Sequence, residues 1–147
     1  MRRGWFILDI NERELILLLY PEFKCVYDKS GNEFVVFRQC KIKNNFNLNL
    51  FYDKTSFEAT VNHIHVLTGI RKKDISVLQT ASKGICKYYI NLLSKLFPQK
   101  TFTVCISIKE NESLIFRFHQ NWENEPEYLS DGVWNDGSIV ITEKTDA

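Results

Sequence analysis

The sequence has few of the residues that keep a chain unfolded. It contains 3 Pro and 6 Gly in 147 residues, and no stretch is of low complexity. Aromatic residues, in contrast, make up 14% of the chain. Disordered segments are poor in aromatics and rich in Pro and polar residues. We therefore expect one folded domain over residues 1–147, long enough to bury a core without disulfides or metal.

Long apolar runs are also missing. The longest near the N-terminus, residues 15–20, holds only six apolar positions, whereas a membrane-spanning helix needs about 20. The first residues begin like a signal peptide, but Asp9, Glu12 and Arg13 interrupt the apolar run too early for one. The sequence therefore predicts a cytoplasmic protein with no membrane partner.

Several motifs of reactive sites are absent. The chain has no G-x-S-x-G nucleophile elbow, no G-x-G-x-x-G and no phosphate-binding G-x-x-x-x-G-K-[ST] loop. Its four cysteines form no C-x-x-C pair and stand in apolar surroundings, which predicts free, buried thiols. We expect no cofactor and no catalytic residue of these classes. The cysteines are Cys25, Cys40, Cys86 and Cys105.

Apolar periodicity predicts an α+β fold, with a largely antiparallel sheet packed against one long helix. Apolar residues at spacings of three and four predict this helix over about 74–97, and Gly84 within it suggests a close approach to the sheet. Alternating apolar residues predict a strand over 101–108 and a partner strand over 114–119. Further strand patterns lie at 5–10, 24–27, 33–38, 48–52, 57–67 and 138–142.

The segment from Asn11 to Tyr20 has two interpretations. Asn11 is a suitable N-cap, and Glu12 and Glu14 stand in the first turn, where the helix dipole favours carboxylates. These features indicate a short N-terminal helix. A short apolar run is equally compatible with a buried strand over 15–19.

Charge is distributed unevenly along the chain, although the net charge is only +1. Residues 1–109 contain 17 Lys and Arg against 9 Asp and Glu. Residues 110–147 contain 2 Lys and Arg against 9 Asp and Glu. This asymmetry suggests that one surface meets a charged partner, unless folding mixes the two halves.

An acidic and aromatic stretch follows the strand pattern at 114–119. Trp and Tyr are frequent anchors of protein interfaces, and carboxylates steer basic partners electrostatically. This combination predicts a surface for a basic protein partner such as a nuclease. A solvated loop whose tryptophans close the core is the competing interpretation. The predicted partner-binding residues are Trp122, Glu123, Glu125, Glu127, Asp131, Trp134 and Asp136.

Two other function classes have some support in the sequence. His63, His65 and His119 could form a polar site, or a zinc site with an open position, if their strands converge, which would make the chain a small metal- or histidine-dependent enzyme. The residues 71–73 and the lysines that follow could contact the phosphates of a nucleic acid. Packed histidines and a solvated helix face are the simpler interpretations, so we expect no metal and no nucleic acid.

Three features of the chain occur in this order: Asn62-His63-Ile64-His65-Val66, a long helix that ends in Phe97-Pro98-Gln99-Lys100, and Arg117-Phe118-His119-Gln120 with Trp122, Glu125, Pro126 and Tyr128. Together they resemble bacterial immunity proteins of contact-dependent growth-inhibition and other polymorphic toxin systems. The resemblance extends over residues 57–140, and it transfers no residue roles. It implies a protein that is not an enzyme and that binds and neutralises the C-terminal domain of one cognate toxin, often a nuclease.

Overall fold

The computed structural model describes residues 8–48 and 53–146. These residues form three α-helices, eight β-strands and a 3₁₀ turn at Lys72–Asp74. In chain order the helices and strands are β1 (Asp9–Ile10), α1 (Glu12–Leu19), β2 (Phe23–Tyr27), β3 (Glu33–Phe37), α2 (Lys54–Val61), β4 (Ile64–Thr68), α3 (Ile75–Leu96), β5 (Phe102–Ile108), β6 (Ser113–Gln120), β7 (Gly132–Val133) and β8 (Ile139–Lys144).

The strands form two antiparallel sheets. The larger has six strands in the order β1-β4-β6-β5-β8-β7, and the smaller is the β2–β3 hairpin. The α+β class, the antiparallel sheet and the long helix are confirmed. No helix among the described residues is both long and apolar enough to cross a membrane.

Strands β5 and β6 form the centre of the larger sheet. They pair along their whole length, from Phe102 opposite Gln120 to Ile108 opposite Leu114. Their alternating apolar side chains are buried in the main core, against Tyr89 and other apolar residues of α3. The alternation that predicted these strands therefore marks the face covered by α3. We call the opposite face the outer face.

Helix α1 confirms the helical interpretation of the N-terminal segment. The side chain of Asn11 accepts a hydrogen bond from the Glu14 amide at 3.1 Å, as an N-cap does. Leu18 is buried in the main core, and its carbonyl oxygen accepts a hydrogen bond from the Tyr89 hydroxyl at 2.7 Å. Helix α1 is thereby held against α3.

The strand predicted over 57–67 was wrong in its first half, which forms helix α2. Asp53 caps this helix by accepting a hydrogen bond from the Ser56 amide at 2.7 Å. Phe57 and Val61 are one helical turn apart, and both pack in a second apolar cluster. Residues four positions apart lie on the same face of a helix and also on the same face of a strand. An apolar pattern in so short a segment therefore fits either structure. Of the predicted range only residues 64–67 form a strand, the first four residues of β4.

The β2–β3 hairpin is buried on both faces. Val35 and Phe37 pack in the main core, whereas Phe34 and Val36 pack in the second cluster with Phe57. The hairpin thus separates two apolar clusters, and residues 34–37 are all buried because each face has its own cover.

Gly84 does not approach the sheet, contrary to the prediction. A Cβ atom added there would meet nothing within 4 Å. Gly84 lies instead beside an apolar groove between α1 and α3, which we call the α1–α3 groove. Leu19 and Tyr88, two residues of this groove, are each 51% exposed. The groove is lined by Leu18, Leu19, Ala81, Gly84, Ile85, Tyr88 and Tyr89.

Two predicted strands fall partly outside the described residues. Of the segment 5–10, Asp9–Ile10 forms β1, and residues 5–7 lie outside the described part. Of the segment 48–52, residues 49–52 lie outside it. The other predicted strands are observed as β2, β3, β5, β6 and β8.

Candidate functional site on the outer face of the sheet

Residues 121–138, here called the acidic segment, follow β6 and cross the outer face. The ring of Tyr128 lies over the Arg117 guanidinium of β6, with 5.7 Å between the Arg117 Cζ atom and the ring centroid. Further on, an Asp131 carboxylate oxygen accepts a hydrogen bond from the Thr142 amide of β8 at 2.6 Å. These contacts hold the segment against both β6 and β8.

Five of the seven predicted partner-binding side chains are exposed. Trp134 is 42% exposed, and its neighbour Val133 is 76% exposed. Exposed apolar residues beside carboxylates are the combination that the sequence predicted for an interface. The five exposed residues are Glu123, Glu127, Asp131, Trp134 and Asp136.

The carboxylates of the acidic segment are only partly neutralised. Glu127 forms an ion pair with Lys144 of β8. Asp136 accepts a hydrogen bond from the Ser138 amide at 2.9 Å and lies 3.8 Å from the Lys109 amino group. The segment itself contains no Lys or Arg. Four exposed carboxylates thus have two lysine partners, so the surface keeps a net negative charge.

Trp122 makes its contacts inside the protein. Its ring centroid lies 5.1 Å from that of Phe34, and its indole N–H donates a hydrogen bond to a Glu58 carboxylate oxygen at 3.0 Å. The amino group of Lys54 lies 5.1 Å from its ring centroid. Trp122 therefore closes the second apolar cluster, which was the competing interpretation for this residue.

Glu125 binds the N-terminus of α2. Its carboxylate accepts hydrogen bonds from the amides of Lys54 and Thr55 at 3.2 and 2.7 Å, and from the Thr55 hydroxyl at 2.6 Å. A carboxylate there satisfies free amides and complements the helix dipole. Glu125 thus fixes the acidic segment to α2.

The fully buried carboxylate of Glu58 joins the two sheets. One of its oxygens accepts hydrogen bonds from the Gln120 amide and the Trp122 indole, at 2.6 and 3.0 Å. The other accepts from the Val35 amide and the Gln120 side chain, at 2.9 and 2.6 Å. These four donors come from β3, from the end of β6 and from the acidic segment. The base of the acidic segment is therefore tied to α2.

Asn62, one turn after Glu58, completes this connection. Its side-chain oxygen accepts a hydrogen bond from the Phe37 amide at 3.1 Å, and its side-chain nitrogen donates to the Val35 carbonyl at 2.9 Å. The Gln120 side chain donates to the Glu33 carbonyl at 2.9 Å. Side chains of α2 and β6 thus form hydrogen bonds with the backbone groups on the edge of β3 that does not pair with β2. Another strand would otherwise be needed at this edge.

Burial raises the pKa of Glu58 to about 7, and the hydrogen bonds from Gln120, Val35 and Trp122 keep it from rising further. Since the ordinary pKa is 4.5, the folded protein binds more protons than the unfolded chain between these values. The stability that protonated Glu58 contributes should be fully present below pH 4.5 and decline as the pH rises to about 7.

We therefore expect the free-energy difference between wild type and Glu58→Gln, which cannot ionise, to change with pH. The stability of wild type relative to the variant should fall by up to about 3 kcal/mol across this window. Urea unfolding of both proteins at several pH values measures it. A difference that stays constant, or that increases with pH, would contradict the raised pKa.

His63 and His65 lie together near the edge of the sheet. Both are exposed, and their ring centroids are 5.1 Å apart. Burial, the neighbouring His63 and the charge of Arg117 lower the pKa of His65. The pair faces solvent and does not share a face with Phe57 and Val61, contrary to the sequence prediction, because those two residues belong to α2.

His119, in contrast to the exposed His63 and His65, is buried. It is only 4% exposed, and its Nδ1 donates to the Gln120 carbonyl at 2.8 Å. Burial lowers the pKa of the imidazole, which favours the neutral form, and in that form the proton on Nδ1 leaves Nε2 unprotonated. His119, Tyr128 and Lys144 line a cavity of about 200 Å³. Among residues 8–48 and 53–146, no three His, Cys, Asp or Glu side chains are arranged to hold a metal ion.

A larger cleft, here called the outer-face cleft, opens beside the acidic segment with a volume of about 440 Å³. Its floor includes Ile115, Ser107 and Val140, which are aligned across β6, β5 and β8. Leu129 and Trp134 of the acidic segment line it as well. The cleft thus combines an apolar floor with an aromatic side chain.

The polar groups of this cleft are grouped at two places. Lys109 lies within 2.8 Å of a Glu112 carboxylate oxygen and 3.8 Å of Asp136, so one lysine charge is shared between two carboxylates. Arg117 is half-buried and also lines the cleft. No carboxylate in the described part of the chain forms an ion pair with Arg117, although six other Arg and Lys side chains there have one.

The basic residues proposed for nucleic-acid contacts are partly neutralised by neighbours. Arg71 pairs with Asp74 at 2.9 Å, and Lys100 pairs with Glu33 at 2.8 Å. Lys109 belongs to the outer-face cleft. Sequence order had placed these residues in one basic stretch, and the fold distributes them between the turn before α3, the loop between α3 and β5, and the cleft.

Sequence reasoning missed Glu58, Asn62, Gln120 and the cleft residue Arg117. Glu58 and Asn62 are four residues apart, which places them on one face of a helix. Polar residues at that spacing beside Phe57 and Val61 were the available signal for α2. Nothing local identified their partners, because the partner backbone groups lie 23 or more residues away.

The fold and the site define an α+β protein with an acidic segment laid across the outer face of an antiparallel sheet. Residues 10–143 match the uncharacterized protein PM0498 family, and the chain belongs to this family. The match covers all the strands and helices except the ends of β1 and β8. No curated protein and no solved structure matches the chain.

Proposed function

We propose that this protein is a cytoplasmic bacterial immunity protein that binds and neutralises the C-terminal domain of a cognate toxin, a nuclease by class. The observation that carries the proposal is the acidic segment, whose exposed side chains include four carboxylates and Trp134. A nuclease binds phosphates with basic residues, so a carboxylate surface can occupy the same region and block it.

The contacts of the acidic segment support this proposal. The segment is bound at its base by Glu58, at α2 by Glu125 and on the sheet by Asp131, so its exposed side chains are presented on a rigid support. A preorganised surface loses less entropy when it binds, which favours high affinity. Trp122 and Glu125 are directed inward by their contacts, so the proposed interface consists of the five exposed residues.

The partner is identified first by capture with wild-type protein from the native cell and mass spectrometry. We expect one stoichiometric partner whose C-terminal domain is basic. Expressed alone, that domain should stop growth, and co-expression of the present protein should restore it. A partner whose domain is harmless, or growth arrest that co-expression does not relieve, would exclude the immunity function.

The acidic surface is tested with Glu123→Gln/Asp131→Asn, which removes two exposed charges and keeps the shape of both side chains. We expect the dissociation constant for the captured domain to rise about tenfold at low salt and the salt dependence of association to flatten. Asp9→Asn/Glu12→Gln is the matched control, since it removes the same charge near β1, at the opposite edge of the sheet from β7.

Equal affinity of both double variants would remove the acidic segment from the interface. The α1–α3 groove would then be the next surface to test, because Leu19 and Tyr88 are exposed apolar residues there. Tyr88→Lys should weaken binding in that case, and it should leave binding unchanged if the acidic segment is the interface.

A further inference from the structure

The outer-face cleft has the dimensions and lining of a small-molecule site. Its volume of about 440 Å³ lies within the range of roughly 300–1,000 Å³ that is typical of ligand pockets. Ile115, Val140 and Leu129 supply an apolar lining, and Trp134 adds an aromatic side chain. Ligand pockets commonly combine such a lining with a few polar groups that fix orientation.

Arg117 is the polar group that distinguishes this cleft. Its guanidinium lies over the Tyr128 ring, a cation–π contact that uses none of the five N–H donors of the group. The positive charge of Arg117 also contributes to lowering the pKa of the neighbouring His65. A half-buried guanidinium that has no carboxylate partner in the protein favours the binding of an anionic ligand, which provides that partner.

The carboxylates that line the cleft have partners other than Arg117. Glu112 and Asp136 are both held by Lys109, and Asp136 also accepts the Ser138 amide hydrogen bond. Neither of these two carboxylates forms an ion pair with Arg117. A carboxylate is the anion that matches guanidinium geometry with two parallel hydrogen bonds.

We propose that the outer-face cleft binds a small carboxylic acid with a flat apolar body, its carboxylate on Arg117 and its body between the Ile115–Val140 floor and Trp134. The hydroxyl groups of Ser107, Ser113 and Ser138 line the same cleft and can bind a polar substituent of such a molecule. This inference goes beyond the proposed function and does not depend on it, because it concerns the protein without a partner.

The test compares benzoate with benzamide, which has the same body and no charge, by ¹H–¹⁵N NMR titration at constant ionic strength. We expect benzoate to bind in the millimolar range, as a fragment of this size does. Its binding should shift the Trp134 indole resonance and the amides of Ser107 and Ile115. Benzamide should bind at least about tenfold more weakly, because the charge-assisted hydrogen bonds are lost.

Two variants complete the experiment. Arg117→Gln should reduce benzoate affinity at least about tenfold, and Arg38→Gln, the same change on the exposed hairpin, should leave it unchanged. Equal binding of benzoate and benzamide would overturn the proposal, as would benzoate shifts confined to the α1–α3 groove or absent altogether. The wild-type titration decides the question even if Arg117→Gln does not fold.

Discussion

Replacing Glu58 with alanine is expected to lower the free energy of unfolding by roughly 3–5 kcal/mol. The substitution leaves the Val35 and Gln120 amides, the Gln120 side chain and the Trp122 indole without their acceptor in a buried position. Each unsatisfied buried donor costs about 1–3 kcal/mol, and water can recover part of this cost. Urea unfolding followed by tryptophan fluorescence measures the loss.

The control for this variant is Glu112→Ala. Its side chain is 58% exposed and pairs with Lys109 at the surface, so its removal should cost less than about 1 kcal/mol. Glu58→Gln should fall between the two variants, because it keeps an acceptor oxygen and the side-chain volume but brings an amide group against the donors. Similar losses for Glu58→Ala and Glu112→Ala would mean that the buried network does not stabilise the fold.

Tyr89→Ala is expected to be about as destabilising, at roughly 3–5 kcal/mol. Tyr89 is fully buried, and its ring centroid lies 4.4 Å from that of Phe116 and 6.3 Å from that of Phe23. It therefore joins α3 to both sheets. Removing the ring leaves a cavity that rigid strands on either side cannot fill, which adds to the lost burial of apolar surface.

Tyr89→Phe separates the ring from the hydroxyl group. It keeps the aromatic contacts and removes only the hydrogen bond to the Leu18 carbonyl, so we expect a loss of about 1–2 kcal/mol. Thermal or urea unfolding of both variants gives the two contributions. If Tyr89→Phe were as damaging as Tyr89→Ala, the hydrogen bond to α1, and not the packing of the ring, would be the main contribution.

The elements that were predicted correctly are those with a long, unambiguous period. Helix α3 has 22 residues with apolar side chains at helical spacing, and Pro98 stands just beyond its end. Strands β5 and β6 alternate over seven and eight residues and are separated by a short turn. In these elements the local pattern and the tertiary packing require the same conformation, so sequence reasoning succeeds.

Helix α2 shows where local pattern is insufficient. Its eight residues carry a weak apolar pattern that fits two periods, and its stability comes from distant groups. Glu125 binds its first amides from 70 residues away, and Glu58 and Asn62 bond to β3 and β6. Tertiary contacts override weak local preference in such short segments.

For the candidate site, too, one part could be predicted from the sequence and another part depended on the tertiary structure. The composition of residues 121–138 by itself indicated an acidic, aromatic surface, because carboxylates without partners remain in water. Only the tertiary structure decided that Trp122 and Glu125 face inward while Trp134 stays exposed. It also decided that His119 is buried apart from the solvent-facing His63 and His65.

The amino-acid sequence by itself determined the α+β class, the long helix, the antiparallel pair β5–β6 and the acidic character of the segment that follows β6. These features depend on residues close together in the chain. The tertiary structure decided the buried network around Glu58, the position of Arg117 and the outer-face cleft. Those features depend on which distant backbone groups and charges meet, and hydrogen bonding and desolvation settle that only once the strands are paired.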